Sequence, residues 1–357
     1  MKTKLVYVLT CSPEGNYIEQ ALMAMWSARY HNPDAHIVLL TDDQTSELLI
    51  GKRGELLEYV SERIIIGFED ERASMVYRSR WIKTQVREYV KGDFLFIDCD
   101  TICCKSLDAI DSFTFDIGAV GDDNVRFTHN VMKKETCEYV ANLGCDISDE
   151  EFYFSSGVIY CKDRVVCHEL YRLWHKYWKE GYENASIFAD QPSLAKCNIE
   201  LGRVIRPMDD VLNCVLFTQN SRLRDAVILH VSPSKFSSFL FSKRVLNIIK
   251  RTGITPWLAS CILNVHSTYL PFDYHIKHST PKQRRLWIRE IAGAAKVYGN
   301  YVSRRYEDWQ FAVGIAPLVK GLFFCRLYRM GAALWLMWKR RIVRKKDYLK
   351  SNICSTI

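Results

Sequence analysis

The stretch from Gly92 to Leu107, GDFLFIDCDTICCKSL, constrains the fold of this chain more than any other. Gly92 and Asp93 read as a turn, and Phe94 to Ile97 is an unbroken apolar run, the pattern of a short strand buried on both faces. Asp98, Cys99 and Asp100 follow at once. On extended backbone alternate side chains share a face, so Asp98 and Asp100 are expected to point at one spot just past the strand's end. Two carboxylates held that close raise each other's pKa and are best tolerated around a cation. Hard oxygen ligands suit Mg²⁺ or Mn²⁺, ions that usually share their coordination with a bound phosphate. The alternative open at this point is that Asp100 caps a segment starting at Thr101.

The preceding residues give that strand its neighbours. Leu5 to Thr10, His36 to Leu40 and Arg63 to Ile66 read as strands, separated by an amphipathic helix from about Ile18 to Arg29 and by a helix beginning near Thr45. Strand and helix in alternation predict a parallel α/β sheet. Further strands are expected at Asp116 to Val120, Tyr153 to Cys161 and Val227 to Val231, with an aromatic-rich helix over Arg164 to Trp178 and another capped by Asp190 before Gln191-Pro192. In open α/β sheets ligands bind beyond the carboxyl ends of the strands, which is where Thr10, Asp42, Asp98, Asp100 and Asp122 fall. No GxGxxG follows the first strand, and neither GxxxxGK[ST] nor GxSxG occurs. The usual dinucleotide, P-loop and hydrolase signatures are therefore excluded.

Two sets of residues leave their roles open. Met75 to Val90 has helical spacing and carries Arg78, Arg80 and Lys83 just before the Asp-x-Asp strand, as an anion site or as an ordinary solvated face. His230, near the end of its strand, reads as a structural histidine or as a metal ligand.

Taken together, these motifs resemble those of GT-A fold glycosyltransferases, most closely glycosyltransferase family 8, over roughly Lys4 to Phe236. FLFIDCDTICCKSL resembles that family's strand and Asp-x-Asp, YRSRWIKTQV its basic helix, SSGVIYCKDR its Asn-(Ser/Ala)-Gly segment, ADQPSLAKC its Asp-Gln helix start, and ILHVSPSKF its His and Lys segment. The resemblance implies an α/β, GT-A (Rossmann-like) mixed sheet flanked by helices. It also implies that Asp98, Asp100 and His230 hold a divalent metal, Mn²⁺ or Mg²⁺, against the diphosphate of a nucleotide sugar, a UDP-hexose. Thr10, Cys11 and Tyr17 would line the base with Asp42 nearby, Cys99 would sit between the metal ligands, and Arg78 or Arg80 and Lys83 would reach the phosphates or the sugar. Lys235 would meet the leaving phosphate. Asp190 and Gln191 would lie beside the donor sugar as the catalytic pair, and the anomeric configuration would be retained. Ser155 and Ser156 would contact the donor; Ser155 stands where the family usually has Asn, and the segment after His230 lacks its usual Gly and Trp.

Length and charge set the frame for the rest. With 357 residues, 48% hydrophobic, the chain is expected to hold a catalytic domain over 1–240 and a basic, aromatic-rich helical extension over 241–357. The net charge of +8 is concentrated in that last third, where Phe323, Leu327, Met330, Leu334 and Met337 form a stripe flanked by Arg326 and Arg329. The stripe fits a helix lying on an anionic membrane surface or one packed on the catalytic domain; nucleic acid is not expected as a partner. The 13 cysteines are scattered without zinc-site spacing, which suits a reducing cytosol. The apolar run Leu5 to Leu9 is too short for a signal peptide, so a cytoplasmic location, peripheral at the membrane, is expected. The functional expectation is a hexosyltransferase acting on a saccharide or glycolipid acceptor. A sugar-nucleotide nucleotidyltransferase and an inactive glycan-binding module are the alternatives; the first lacks its Gly-rich basic loop, and intact Asp98, Asp100 and His230 argue against the second.

Overall fold

The computed structural model describes residues 1–68, 73–130, 132–215, 225–231 and 240–265. Lys235 and the tail from 266 onward lie outside the described residues.

Four parallel strands form the first half of the main sheet. They are β1 (Lys4–Leu9), β2 (Ile37–Asp42), β3 (Glu62–Ile66) and β4 (Phe94–Ile97), with β1 between β2 and β4 and β3 outside β2. Helix α1 (Tyr17–His31) joins β1 to β2, and the short α2 (Asp43–Glu47) and α3 (Gly51–Gly54) follow β2. Between β3 and β4 the basic segment forms α4 (Met75–Lys83) and α5 (Val86–Tyr89) rather than one helix to Val90. The break is at Thr84 and Gln85, where the Thr84 hydroxyl donates to the Arg80 carbonyl at 2.9 Å and Gln85 leaves helical geometry at φ −117°.

The second half makes the sheet mixed, as the family resemblance implied and as the strand–helix alternation alone did not. After β5 (Thr101–Cys103) come β6 (Ile117–Gly121), α6 (Lys133–Ala141) and β7 (Phe154–Cys161). β7 inserts antiparallel between β4 and β6, and β8 (Ile205–Pro207) pairs parallel to β6 at the edge. The order is β3-β2-β1-β4-β7-β6-β8. Because β7 runs against β4, its amino end lies beside the carboxyl end of β4. Ile97 pairs with Val158, and the Asp98 N–H donates to the Gly157 carbonyl at 2.8 Å. A second sheet of β9 (Cys214–Val215), β10 (Ile228–His230) and β5 has β10 in the middle, antiparallel to β5 and parallel to β9. It brings His230 opposite Thr101, with the Val231 N–H on the Asp100 carbonyl at 3.0 Å. Thr101 therefore begins a strand, and the capping role for Asp100 does not apply.

β4 shows why its apolar run was so informative. Leu95 and Ile97 enter one core with Ile18, Leu22 and Met25 of α1, while Phe94 and Phe96 enter the other with Ile82, Val86, Leu170 and Trp174. All four β4 side chains are at most 1% exposed, each contributing about 1.5–3 kcal/mol of burial. The second core is covered by α7 (Val165–Ala185) and α8 (Gln191–Glu200). α7 buries Cys167, Leu170, Tyr171, Trp174 and Trp178, a single stripe at helical spacing. The first core continues into α9 (Lys243–Thr252) and α10 (Pro256–Leu263), whose Leu246, Ile249, Leu258 and Ile262 join it. Among the described residues no helix is long and apolar enough to cross a membrane.

Candidate metal and nucleotide site

The turn between β4 and β5 carries the two acids. The strand ends at Ile97, so the alternation expected of extended backbone does not bring them together; the turn does, with the Thr101 hydroxyl donating to the Asp98 carbonyl at 2.8 Å. Ligand atoms of Asp98, Asp100 and His230 all lie within 4.8 Å of one another, and the two carboxylate side chains are 25% and 26% exposed. The three expected metal ligands thus converge, two from one turn and one from β10.

Electrostatics in this cluster are strongly coupled. Burial pushes the Asp98 carboxyl up, with the Asp100 charge adding to burial and Lys83 opposing it. Burial acts the same way on Asp100, but the charge and hydrogen bond of His230 win and hold it below the usual range. For His230 burial disfavours the charged ring, yet Asp100, 3.1 Å from Nε2, outweighs burial and raises the imidazole. Such a trio of two oxygen donors and one imidazole suits Mn²⁺ or Mg²⁺.

Behind His230 stands a residue the sequence did not reveal. Asn213, fully buried, places Oδ1 2.9 Å from His230 Nδ1, and its Nδ2 donates to Ser155 Oγ at 3.1 Å. Ser155 Oγ also accepts from the Gly157 N–H at 3.2 Å. Gly157 itself permits the approach: a Cβ there would stand 2.6 Å from His230 Cε1 and 3.1 Å from Asp98 Oδ2. Gly157→Ala must therefore move one or both ligands. We expect Mn²⁺ affinity and turnover to fall, turnover by roughly 10²-fold, since a misplacement of 1 Å costs about that much. Overpacking should lower stability by only about 1–3 kcal/mol. Isothermal titration with Mn²⁺ and a thermal melt check both, and unchanged Mn²⁺ binding would contradict the packing argument.

The basic residues divide sharply in role. Arg78, 5% exposed, is ion-paired to Asp42 and donates to the Ala73 carbonyl, so its charge is spent inside the fold. Asp42, fully buried, also caps α2 by accepting from the Thr45 N–H at 2.9 Å. Lys83, 2% exposed, lies 3.1 Å from Asp98 Oδ1, 3.2 Å from Asp190 Oδ2 and 3.2 Å from the Ser156 hydroxyl. It ties the metal turn to the start of α8. Arg80 is the member of the three that faces open space, its side chain 34% exposed and its Nε 3.3 Å from Asp190 Oδ1.

Asp190 sits between these two cations with its side chain 5% exposed. Burial alone would raise its carboxyl, but Lys83 first and Arg80 next hold it far below the usual range. The capping hydrogen bond expected of Asp190 is absent because the side chain turns toward Arg80 and Lys83 instead. Its position is set by Trp174, whose indole N–H donates to the Asp190 carbonyl at 2.8 Å. Gln191 turns its amide nitrogen to Asp122 Oδ1 at 3.1 Å, at the end of β6.

A cavity of about 360 Å³ opens over the ends of β1 and β4. Thr10, Tyr17, Arg80, Asp98, Cys99 and Asp100 line it, all of them expected from sequence. Cys11 and Asp42 do not; Cys11 is 1% exposed, its N–H donating to Thr45 Oγ1 at 2.7 Å. Gln20 and Val76 line the cavity without having been foreseen, although Gln20 stands one helical turn from Tyr17 and Val76 one turn from Arg80.

No protein family matches this chain by sequence, and no curated protein does. Among solved structures it is similar to mouse xyloside xylosyltransferase 1 in its apo form (12% identity, TM-score 0.46, covering 67% of this chain and 100% of that one). It is also similar to the galactosyltransferase LgtC in complex with donor and acceptor sugar analogs (14% identity, TM-score 0.47, covering 80% and 100%). A third similarity is to the glycosyltransferase GlyE of Streptococcus pneumoniae TIGR4 (17% identity, TM-score 0.42, covering 74% and 63%). With every TM-score below 0.5, these likenesses assign no role to any side chain of this chain.

Proposed function

We propose that this chain is a metal-dependent glycosyltransferase that moves a hexose from a nucleotide sugar, a UDP-hexose, to a saccharide or glycolipid acceptor with retention of configuration. The observation that carries this reading is the convergence of Asp98, Asp100 and His230, two of which, Asp98 and Asp100, line a cavity that also holds Arg80. Asp98, Asp100 and His230 would hold the ion, which when bound would offset the negative charge of the departing diphosphate. Arg80 would add a fixed positive charge at the same place. The bond from the anomeric carbon to the phosphate oxygen breaks, a bond to the acceptor's hydroxyl oxygen forms, and the hydroxyl proton passes to an oxygen of the departing diphosphate. Asp190 is a poor base for that proton, because Lys83 and Arg80 keep it ionised and weakly basic. A negative charge that stays fixed instead suits the positive charge that develops on the sugar. Tyr17 and Thr10 would contact the base and ribose from the β1 side of the cavity.

The test is incubation with a panel of nucleotide sugars and Mn²⁺, reading free nucleotide. Release from one sugar class, abolished by a chelator, is the expected result. Pyrophosphate release from a nucleoside triphosphate and a sugar phosphate would instead identify a nucleotidyltransferase and overturn the reading.

A further inference from the structure

Resting on the metal reading above, we propose that Asn213 and Ser155 are positioning residues that fix the tautomer in which His230 offers its Nε2 lone pair to a divalent cation. An amide oxygen can only accept, so Asn213 Oδ1, 2.9 Å from Nδ1, requires the proton on Nδ1. With Nδ1 holding its proton, the proton that the charged ring gives up is the one on Nε2, which bonds Asp100 Oδ1 at 3.1 Å, and the neutral ring has its lone pair there. Turned over, the same amide would present its NH₂ to Nδ1 and force the ring proton onto Nε2, where it would block a metal. In the observed arrangement Ser155 Oγ accepts from Asn213 Nδ2 at 3.1 Å and from the Gly157 N–H at 3.2 Å, which holds the amide with its oxygen toward the ring.

The backbone around Asn213 is clamped as well. Asn124 donates through Nδ2 to the Asn213 carbonyl at 2.9 Å and accepts from the Val215 N–H at 2.7 Å. Asn124 reaches that point from a loop in which Asp123 and Asn124 have φ of 53° and 57°, left-handed values that Asp and Asn tolerate better than most residues. Parallel pairing of β9 with β10 sets Val215 beside His230, fixing Asn213 behind the ring. A histidine that ligates a metal almost always donates its other N–H to a carboxylate, a carbonyl or water, and losing that acceptor costs about 10–100-fold in metal affinity. Asn213 fills that place here, and Ser155 holds Asn213.

The experiment titrates Mn²⁺ calorimetrically into the full-length protein, alone and with UDP present, with thermal melts as folding controls. Asn213→Ala should bind Mn²⁺ about 10–100-fold more weakly than wild type. Asn213→Asp should return close to the wild-type affinity, because a carboxylate oxygen accepts the same Nδ1 proton. Were Asn213 mere packing, burying a carboxylate there would harm the site further, so failure of Asn213→Asp to rescue overturns the proposal. Equal Mn²⁺ binding by Asn213→Ala and wild type overturns it too while leaving the metal reading intact. Should Asn213→Ala not fold, Ser155→Ala decides: a measurable loss supports the proposal, and unchanged affinity overturns it. A wild-type protein that binds no Mn²⁺ in either condition removes the metal reading and this proposal together.

Discussion

Asp100→Ala is expected to lower nucleotide-sugar turnover by about 10³-fold or more while leaving the fold in place. Removing one of three ligands forfeits several kcal/mol of charge stabilisation, and each 1.36 kcal/mol is tenfold in rate. Apart from its ion pair with His230 at 3.1 Å, little structure depends on the side chain. It is 26% exposed, and the backbone link of the turn to β10 runs through the Asp100 carbonyl, which alanine keeps. Circular dichroism should therefore superimpose on that of the wild type, and Mn²⁺ titration should show weakened binding. Full activity in this variant would remove Asp100 from the site.

Asp190→Asn should damage both rate and stability, with the rate falling more in kcat than in KM. The reason is the company this carboxylate keeps. Asparagine preserves its size but leaves Lys83 and Arg80 facing a neutral group in a site where Lys83 is buried. Removing one partner of a buried ion pair typically costs about 3–5 kcal/mol. Here the lower end applies, because Lys83 retains Asp98 at 3.1 Å. The pH dependence follows from the depressed carboxyl of folded Asp190. Its contribution is fully present above the ordinary aspartate value of about 3.9 and is lost as pH falls below that toward the folded value. The difference in melting temperature between wild type and Asp190→Asn should thus hold constant from pH 8 to about 5 and shrink only in stronger acid. A difference that vanished near neutrality, or a variant with normal kcat, would contradict the role given to this charge.

How much of this was legible beforehand depended on the range of the interaction concerned. The main strands were readable because apolar runs such as Phe94 to Ile97 are intrinsic to a two-sided core. β5, β8 and β9, two or three residues each, carry no periodicity and exist only because a partner strand pairs with them. The reversal of β7 was likewise invisible in the alternation of strand and helix; the family resemblance implied a mixed sheet without saying which strand runs backwards. In the candidate site, residue type and local spacing were enough to put forward Asp98 and Asp100, and Arg80 only as one of three basic residues. Arg78 and Lys83 were not separable from Arg80 by sequence, since what distinguishes them is burial against Asp42, Asp98 and Asp190, partners as many as 107 positions away. Asn213 left no signal at all, as its function consists of two hydrogen bonds to residues 17 and 58 positions distant.

On the proposed function, Asp98, Asp100 and His230 bind a nucleotide diphosphate through a divalent ion. Calorimetric titration of UDP into the protein, with Mn²⁺ and then with chelator, tests it most directly. UDP should bind with Mn²⁺ present, and this binding should disappear on chelation and in Asp100→Ala. UDP binding of equal strength without the metal, or none in either condition, would contradict it.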